Sequence, residues 1–200
     1  MLLTVDEKDH MPRANLSATD VVAAAAAIAD RDGFDAVSVS AVARSLGVQP
    51  ASLYSHVRDR AALLDGIHRL ALADLADRIG AAVAGRAGRD ALFGLAGAHR
   101  ELATARPGTW AALQRPASDE TVRSAESARV STLILAVLRG YDLPDPDLVH
   151  AARLVGATIN GHLALDRAGA YRGRDESADA SWQWAIDALD RALRSAKHPS

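Results

Sequence analysis

The chain has 200 residues, of which 49% are hydrophobic and only 4% aromatic, and its formal net charge is −2. This slightly acidic balance is unlike that of a protein that coats nucleic acid, and the absence of cysteine excludes disulfides, thiolate catalysis and cysteine-based zinc sites. Alanine, the best helix former, is abundant, whereas the strand-favouring residues Tyr, Phe, Ile and Thr are sparse. The composition therefore favours an all-α fold.

The N-terminal residues carry no targeting pattern, because they are too polar for a secretory signal. No segment approaches the roughly 18 uncharged apolar residues that a membrane span needs. We therefore expect a cytoplasmic protein with no membrane partner. Residues 1–16 show no helical periodicity and are predicted to form a flexible arm.

The first predicted helix begins at Ser17, whose spacing to Asp20 fits a capping box. Apolar residues then recur on one helical face, as expected for a helix that packs on a core. The helix is predicted to end at Gly33, since glycine is the common residue just beyond a helix C-terminus.

Two short helices follow, joined by a tight turn. The second helix opens at Ser38, a good N-cap, and ends at Gly47. The third begins at Pro50, which suits the first helical position, and is predicted to run to about Val57. Two short helices joined by a turn that contains glycine describe a helix-turn-helix, whose second helix must protrude to enter the major groove of double-stranded DNA.

The exposed side of that third helix carries groups suited to DNA. Gln49 and Ser52 can contact base edges or phosphates, and small apolar side chains can meet thymine methyl groups. Hydroxyl, imidazole and guanidinium groups nearby can bind phosphate, which supplies affinity through a local positive patch. Tyr54 has an alternative interpretation as a core aromatic residue. The candidate DNA-binding residues are Ser38, Ser40, Arg44, Gln49, Pro50, Ala51, Ser52, Tyr54, Ser55, His56, Arg58 and Arg60.

A long fourth helix is predicted from an Asp59 N-cap, and Gly80, Gly85 and Gly88 weaken its end. We place a boundary near residue 60, which gives a three-helix head and a second domain. Proline, glycine and polar residues separate the later helices. The predicted ranges are 17–60 for the head and 61–200 for the second domain, with later helices at 90–105, 107–115, 118–140, 146–169 and 177–196.

The segment around the two short helices carries a set of residues in a characteristic order and spacing. These are Gly33-Phe34, Ser38, Val42-Ala43, Leu46-Gly47-Val48, Leu53-Tyr54, Val57 and Ala62-Leu63-Leu64. From residue 17 to residue 66 the chain thereby resembles the TetR family of bacterial regulators. The resemblance implies that Gln49 to His56 form the recognition helix and that Tyr54 and Arg60 contact phosphates.

Two later segments, 99–114 and 154–171, are more weakly similar to one subgroup of TetR ligand domains. This similarity implies an all-helical bundle that binds an effector and dimerises. A pocket needs a few polar or aromatic groups on apolar walls to orient its ligand. The candidate ligand-binding residues are His68, His99, Trp110 and Asn160.

Two pairs of residues raise the alternative of a metal site, because Asp65 precedes His68, and Asp147 precedes His150, at a spacing that places each pair on one helix face. A di-iron bundle needs Glu-x-x-His pairs with further inward glutamates, and the only Glu-x-x-His begins at Glu7 in the predicted arm. We therefore predict no metal and no cofactor. No catalytic grouping is visible either, although catalytic sets that assemble in space stay open as an alternative.

The last two predicted helices are candidates for a dimer interface. The helix at 146–169 has a face of small residues, and the helix at 177–196 carries an apolar stripe. Both features could instead pack within one chain. The stripe consists of Trp182, Ile186, Leu189 and Leu193.

The sequence thus predicts a homodimeric, ligand-responsive transcriptional regulator, a repressor released from a palindromic operator by a small molecule, and not an enzyme. A two-fold dimer would present its recognition helices to successive major grooves, about 34–36 Å apart. One alternative is a helical-bundle enzyme or metal-binding protein with a vestigial DNA-binding head. Another is a DNA-binding or protein-interaction module that responds to no effector.

Overall fold

The computed structural model describes residues 16–173 and 175–196, and throughout these ranges the regular structure is helical. The all-α prediction is therefore confirmed. Apart from Leu16, the predicted arm lies outside the described residues. None of the helices in the described ranges combines the length and apolar character that a bilayer crossing requires.

Three helices form the head and seven follow it within the described residues. The head helices are α1 (Ala18–Asp32), α2 (Val39–Ser45) and α3 (Pro50–Leu53), with a 3₁₀ turn at Phe34–Ala36. The others are α4 (Arg60–Val83), α5 (Gly88–Ala105), α6 (Pro107–Leu113), α7 (Asp119–Val122), α8 (Ala125–Arg139), α9 (Asp145–Arg167) and α10 (Ala178–Ser195).

The predicted helix starts in the head are confirmed by cap geometry. Ser17 and Asp20 form the full capping box, with the Asp20 N–H donating to Ser17 Oγ (3.1 Å) and the Ser17 N–H donating to Asp20 Oδ2 (3.0 Å). Ser38 accepts the Ala41 N–H in the same way at the start of α2. Each cap satisfies a backbone N–H that the helix itself leaves without a partner.

Two predicted helix boundaries are wrong. The third helix ends at Leu53, because the His56 N–H bonds the Leu53 carbonyl (2.9 Å) in a tight three-residue turn. The helix predicted at 118–140 is divided into α7 and α8. Ser124 separates them, since its side chain accepts the Ser127 N–H and starts a new helix.

Two apolar cores lie along α4. Leu63 and Ile67, near its start, pack into the core of the head, whereas Leu75 and Ile79, further along, pack into the larger core built with α5, α6, α8, α9 and α10. All four are fully or almost fully buried. A single helix therefore belongs to both cores and joins them rigidly.

A second junction between head and second domain lies where α6 meets the end of α1. Gly108 makes it possible, because a Cβ at this position would lie 1.9 Å from the Ala29 carbonyl oxygen. Asp30 accepts hydrogen bonds from the Thr109 N–H (2.6 Å) and the Thr109 hydroxyl (2.9 Å), so a side chain of α1 caps α6. The head therefore touches the second domain through α6 as well as α4.

The apolar stripe on α10 is not an interface, which corrects one prediction. Its four residues, Trp182, Ile186, Leu189 and Leu193, are buried in the core of their own chain. By contrast, the small-residue face of α9 is not covered within the chain, since Gly161 and Ala164 are exposed. Periodicity identified the buried face of α10 correctly, but it could not tell which elements cover that face.

Candidate functional site

The head positions α3 by packing its buried side against α2. Leu53 of α3 and Val42 and Ala43 of α2 are fully buried in the head core. The connecting turn closes with a hydrogen bond from the Val48 N–H to the Ala43 carbonyl (3.0 Å), and Gly47 takes a φ of 67° that favours glycine. This packing leaves the outer side of α3 facing solvent.

The structure leaves most of the predicted DNA-binding residues accessible to solvent, and Gln49, Ser52, Ser55 and His56 line one surface pocket. Tyr54 is 59% exposed, so it is not a core aromatic residue. Ser38 and His56 are half-buried, whereas the other ten candidates are exposed. The exposed ones are Ser40, Arg44, Gln49, Pro50, Ala51, Ser52, Tyr54, Ser55, Arg58 and Arg60.

Hydrogen bonds within the head already use some of these side chains. The Ser38 hydroxyl caps α2, and Arg60 Nε donates to the Val37 carbonyl (2.7 Å), which orients the guanidinium. Arg58 pairs with Asp59 (3.1 Å) at the surface. Hydrogen bonds from the Ala62 backbone and from Arg58 lower the pKa of the Asp59 carboxyl, so it stays charged as the N-cap of α4.

Two of the candidate DNA-binding side chains, Gln49 and Arg44, lack such partners among the described residues. Gln49 is the N-cap of α3 but makes no side-chain cap bond, so its amide is available to a base edge. Arg44 forms no ion pair within the part of the chain that the structure describes. A cation and an amide free of internal partners are what phosphate binding and base recognition require.

The four candidate effector-binding residues lie on different helices of the second domain. His68, His99 and Trp110 are buried, and Asn160 is half-buried with its Oδ1 accepting from Gln114 (3.1 Å). Burial lowers the pKa of His99, whose Nδ1 lies 2.9 Å from the Leu95 carbonyl, and burial also lowers that of His68. Trp110 Nε1 is buried and has no hydrogen-bond partner among the described residues.

A surface groove of about 560 Å³ between α4, α5 and α10 was not predicted from the sequence. None of the four candidate residues lines it. The regular spacing of its α5 residues along one face was visible in the sequence, but α4 and α10 are too distant in the chain to be connected with it by pattern. Its principal lining residues are Arg78, Phe93, Gly97, Arg100, Glu101 and Trp182.

Metal binding finds no support in the geometry of the described residues, where no three His, Asp or Glu side chains come together as a possible ligand set. Asp65 and His68 do share a face of α4, as their spacing predicted. Their interaction is a weak electrostatic one that is smaller than the effect of burial on the pKa of His68.

Comparison with known families agrees with this architecture. The model of bacterial regulatory proteins of the tetR family matches residues 21–67, and that of the tetracyclin repressor-like C-terminal domain matches residues 92–189. The chain belongs to the tetR family. It is therefore a DNA-binding transcriptional regulator of the helix-turn-helix type and not an enzyme.

Individual relatives are similar over nearly the whole chain. An HTH-type transcriptional regulator of Mycobacterium tuberculosis is 29% identical over 82% of this chain and 77% of its own. A Rhodococcus protein of unknown function has a TM-score of 0.75 at 26% identity, covering 92% of this chain and 99% of that one. A single-substitution variant of TetR from Acinetobacter baumannii, in complex with minocycline, has a TM-score of 0.69 at 22% identity, covering 90% of this chain and 97% of that one.

Proposed function

We propose that the protein is a homodimeric repressor that leaves an inverted-repeat operator when a small molecule binds its second domain. The observation that carries the proposal is the exposed start of α3, where Gln49 and Ser52 face solvent, as Arg44 and Tyr54 also do. The A. baumannii relative that binds minocycline supports the effector half of the proposal. The protein would act in the cytoplasm, where its operator lies.

Dimerisation is assigned to the exposed faces of α9 and α10. Trp184 is 69% exposed, and Leu154 and Leu165 on α9 are exposed as well. Gly161 lies on the same helix in open space, since a Cβ there would meet no atom within 4 Å. Exposed apolar side chains beside small residues are typical of a surface that a second copy covers, with two helices contributed by each chain.

The two junctions described above connect this second domain to the head. Movement of α4 or of α6 would change the orientation of α1, and with it the separation of the two recognition helices in a dimer. An effector can shift this equilibrium only through a difference in its affinity for the two arrangements. Repression relieved by an effector therefore requires that the effector site contact one of these helices.

Selection of DNA from random oligonucleotides tests the proposal, followed by binding titrations at several salt concentrations. We expect an inverted repeat and an affinity that falls steeply with salt, by a slope of about −0.9 per phosphate neutralised. Arg44→Gln should reduce the slope by about one. Arg139→Gln, at an exposed arginine of α8, is the matched control and should leave it unchanged. A flat salt response or the absence of a selected sequence would overturn the proposal.

A further inference from the structure

The groove between α4, α5 and α10 has the size and lining of a small-molecule site. Its volume of about 560 Å³ lies within the range of ligand pockets, about 300–1,000 Å³. Phe93 is half-buried and supplies the aromatic surface, whereas Trp182, only 4% exposed, contributes a small part of the lining. Gly97 leaves open space in the groove, since a Cβ there would meet no atom within 4 Å. An aromatic or apolar body therefore has a surface on which to pack.

Two arginines converge on this groove, and their partners there are easily displaced. Arg78 Nη1 lies 3.5 Å from Glu101, whose side chain is 72% exposed. Arg100 pairs with Asp179, which is 74% exposed, and its guanidinium lies 5.6 Å from the Trp182 ring centre. Exposed ion pairs contribute little, about 0–1 kcal/mol, so a ligand carboxylate held by both guanidinium groups would replace them readily.

From this arrangement we infer that the groove binds a small aromatic carboxylate, with its ring against Phe93 and its carboxylate between Arg78 and Arg100. The lining holds two guanidinium groups and one carboxylate, and although Asp74 and Asp179 also pair with these arginines, each guanidinium keeps further N–H donors that can bind a ligand carboxylate. Arginine forks also match the planar geometry of a carboxylate better than that of other small anionic groups apart from phosphate, and the aromatic side chains favour a planar body.

The proposed dimer leaves this groove accessible. Trp182 borders the groove, whereas the exposed Trp184 belongs to the dimer face. Residues two positions apart on an α-helix, such as these two tryptophans, are separated by about 200° around its axis, because the helix has about 3.6 residues per turn. The two tryptophans therefore point to nearly opposite sides of α10, and a second copy packed on Trp184 does not cover the ligand.

An unbroken series of ion pairs runs from the groove to the head. Arg78 Nε donates to Asp74 (2.7 Å) within α4, Arg106 bridges Asp74 (3.3 Å) and Asp30 (3.0 Å), and Asp30 belongs to α1. A ligand that draws Arg78 away from Asp74 leaves Asp74 to bind Arg106 more strongly. Arg106 then holds Asp30 less strongly at the α1–α6 junction.

This regulatory half of the inference rests on the proposed function, because it gives the ligand an effect on operator binding. The binding half stands without it. Both can be measured on the full chain, and the two measurements are independent. The coupling has a physical basis, since it runs through contacting charged side chains of α4, of the link between α5 and α6, and of α1.

Calorimetry with 1-naphthoate tests the site, and neutral 1-naphthamide of nearly the same shape is the control ligand. We expect naphthoate to bind about tenfold more tightly than the amide, as one charge-assisted hydrogen bond predicts. Arg100→Gln should remove this preference. Gly97→Leu should block both ligands while the fold is kept, because the space beside Gly97 is open.

Matched control variants are Arg139→Gln and Gly80→Leu, which change an exposed arginine and an open helical glycine outside the groove. Both should bind naphthoate as the unmodified protein does. Equal naphthoate binding by Arg100→Gln, Gly97→Leu and these controls would overturn the site, and so would the absence of naphthoate binding at millimolar concentration.

Operator titrations with saturating naphthoate test the coupling. Affinity should fall at least about fivefold, the lower end of measured allosteric couplings. Asp74→Asn should still bind naphthoate but lose this response, because it breaks the ion-pair series at its centre. Unchanged operator affinity with the groove filled would overturn the coupling alone. Failure to bind any operator would overturn the proposed function instead, and calorimetry would still decide the binding site.

Discussion

Tyr54 and Gln49 lie on the same exposed side of the head but offer DNA different kinds of contact. Changing Tyr54→Phe should weaken binding to all sequences about equally, by about 0.5–3 kcal/mol, because a hydroxyl bound to phosphate carries no sequence information. Gln49→Ala should instead change the preference at particular base pairs, by about 1–3 kcal/mol. The measurement is a binding series over operators with each base pair changed in turn.

The opposite pattern would contradict the orientation proposed for α3. If Tyr54→Phe altered the base preference while Gln49→Ala lowered every affinity equally, the helix would lie in the groove with a different face inward. Because the Gln49 side chain makes no cap bond, Gln49→Ala removes no hydrogen bond at the start of α3. A changed base preference in this variant can therefore be attributed to the lost contact with DNA.

Asp190 is a buried carboxylate far from the proposed DNA surface, and it gives stability a pH dependence. Burial raises the pKa of its carboxyl, but hydrogen bonds from Arg194 and Tyr141 outweigh burial and leave that pKa below its usual value. The Tyr141 hydroxyl donates to Asp190 (2.7 Å), and burial, followed by this bond, raises the pKa of the phenol.

Because the pKa of Asp190 is lower in the folded protein than in the unfolded chain, its contribution is complete above the unfolded value of roughly 4. The contribution is lost as pH falls through the lower folded-state pKa. Urea unfolding between pH 7 and pH 2.5 should show a smaller loss of stability for Asp190→Asn than for the unmodified protein. Parallel acid dependence of the two proteins would contradict the assignment.

Tyr141→Phe tests the same hydrogen bond at neutral pH. It should lower the free energy of unfolding by about 1–3 kcal/mol, because a buried carboxylate loses one of its donors while the ring still fills its place. Tyr171→Phe is a matched control, since the Tyr171 hydroxyl makes only a long contact of 3.4 Å with His162. An equal loss of unfolding free energy in the two variants would show that the hydrogen bond from Tyr141 to Asp190 adds no stability of its own.

At the scale of single helices, alanine substitutions at two glycines should change stability in opposite directions. Gly108→Ala places a Cβ against the Ala29 backbone and should cost about 1–3 kcal/mol of stability by overpacking. Gly97→Ala in α5 meets open space and should stabilise the protein by about 0.5–1 kcal/mol, because alanine is the better helix former. Thermal unfolding of both variants provides the comparison. Tolerance of Gly108→Ala would mean that α6 does not approach α1 as closely as described.

The sequence predicted helix starts better than helix ends or helix neighbours. Ser17, Ser38 and Asp59 identify their helices because an N-cap is a local bond between residues three positions apart. Ser124 has the same chemistry, but no proline or glycine lies between Ser118 and Arg139 to mark the break. The α1–α6 junction and the groove of Arg78 and Trp182 depend on packing between distant segments, which periodicity does not encode.

The candidate site residues also divide into those that a local pattern predicts and those that depend on packing between distant segments. The DNA-binding surface was predictable because it comes from one short stretch of chain whose exposed side follows from the pattern of its buried side. The effector site requires the relative placement of α4, α5, α6, α9 and α10. His99 and Trp110 are candidates because each is an isolated polar or aromatic group on an apolar helix face, and their contact with an effector remains a prediction.

For the molecule as a whole, the dimer prediction now depends on different residues. Leu154→Arg should give a monomer that keeps its helical content, because Leu154 is exposed in one chain and lies in the proposed interface. Leu189→Arg should unfold the chain, since it buries an unpaired charge in the core. Sedimentation velocity and circular dichroism distinguish these outcomes. A Leu154→Arg protein that stays dimeric would place the interface elsewhere.

Because α4 packs into both cores, only some crossover points will give a folded chimera of this protein with a relative. A head cut at residue 60 would lose Leu63 and Ile67, two of the largest fully buried side chains in its own core. A chimera that exchanges effector domains should therefore cross over between Ile67 and Leu75, where α4 passes from one core to the other. Even there, the donor must supply a glycine at the position of Gly108, or its sixth helix will not seat against the recipient head.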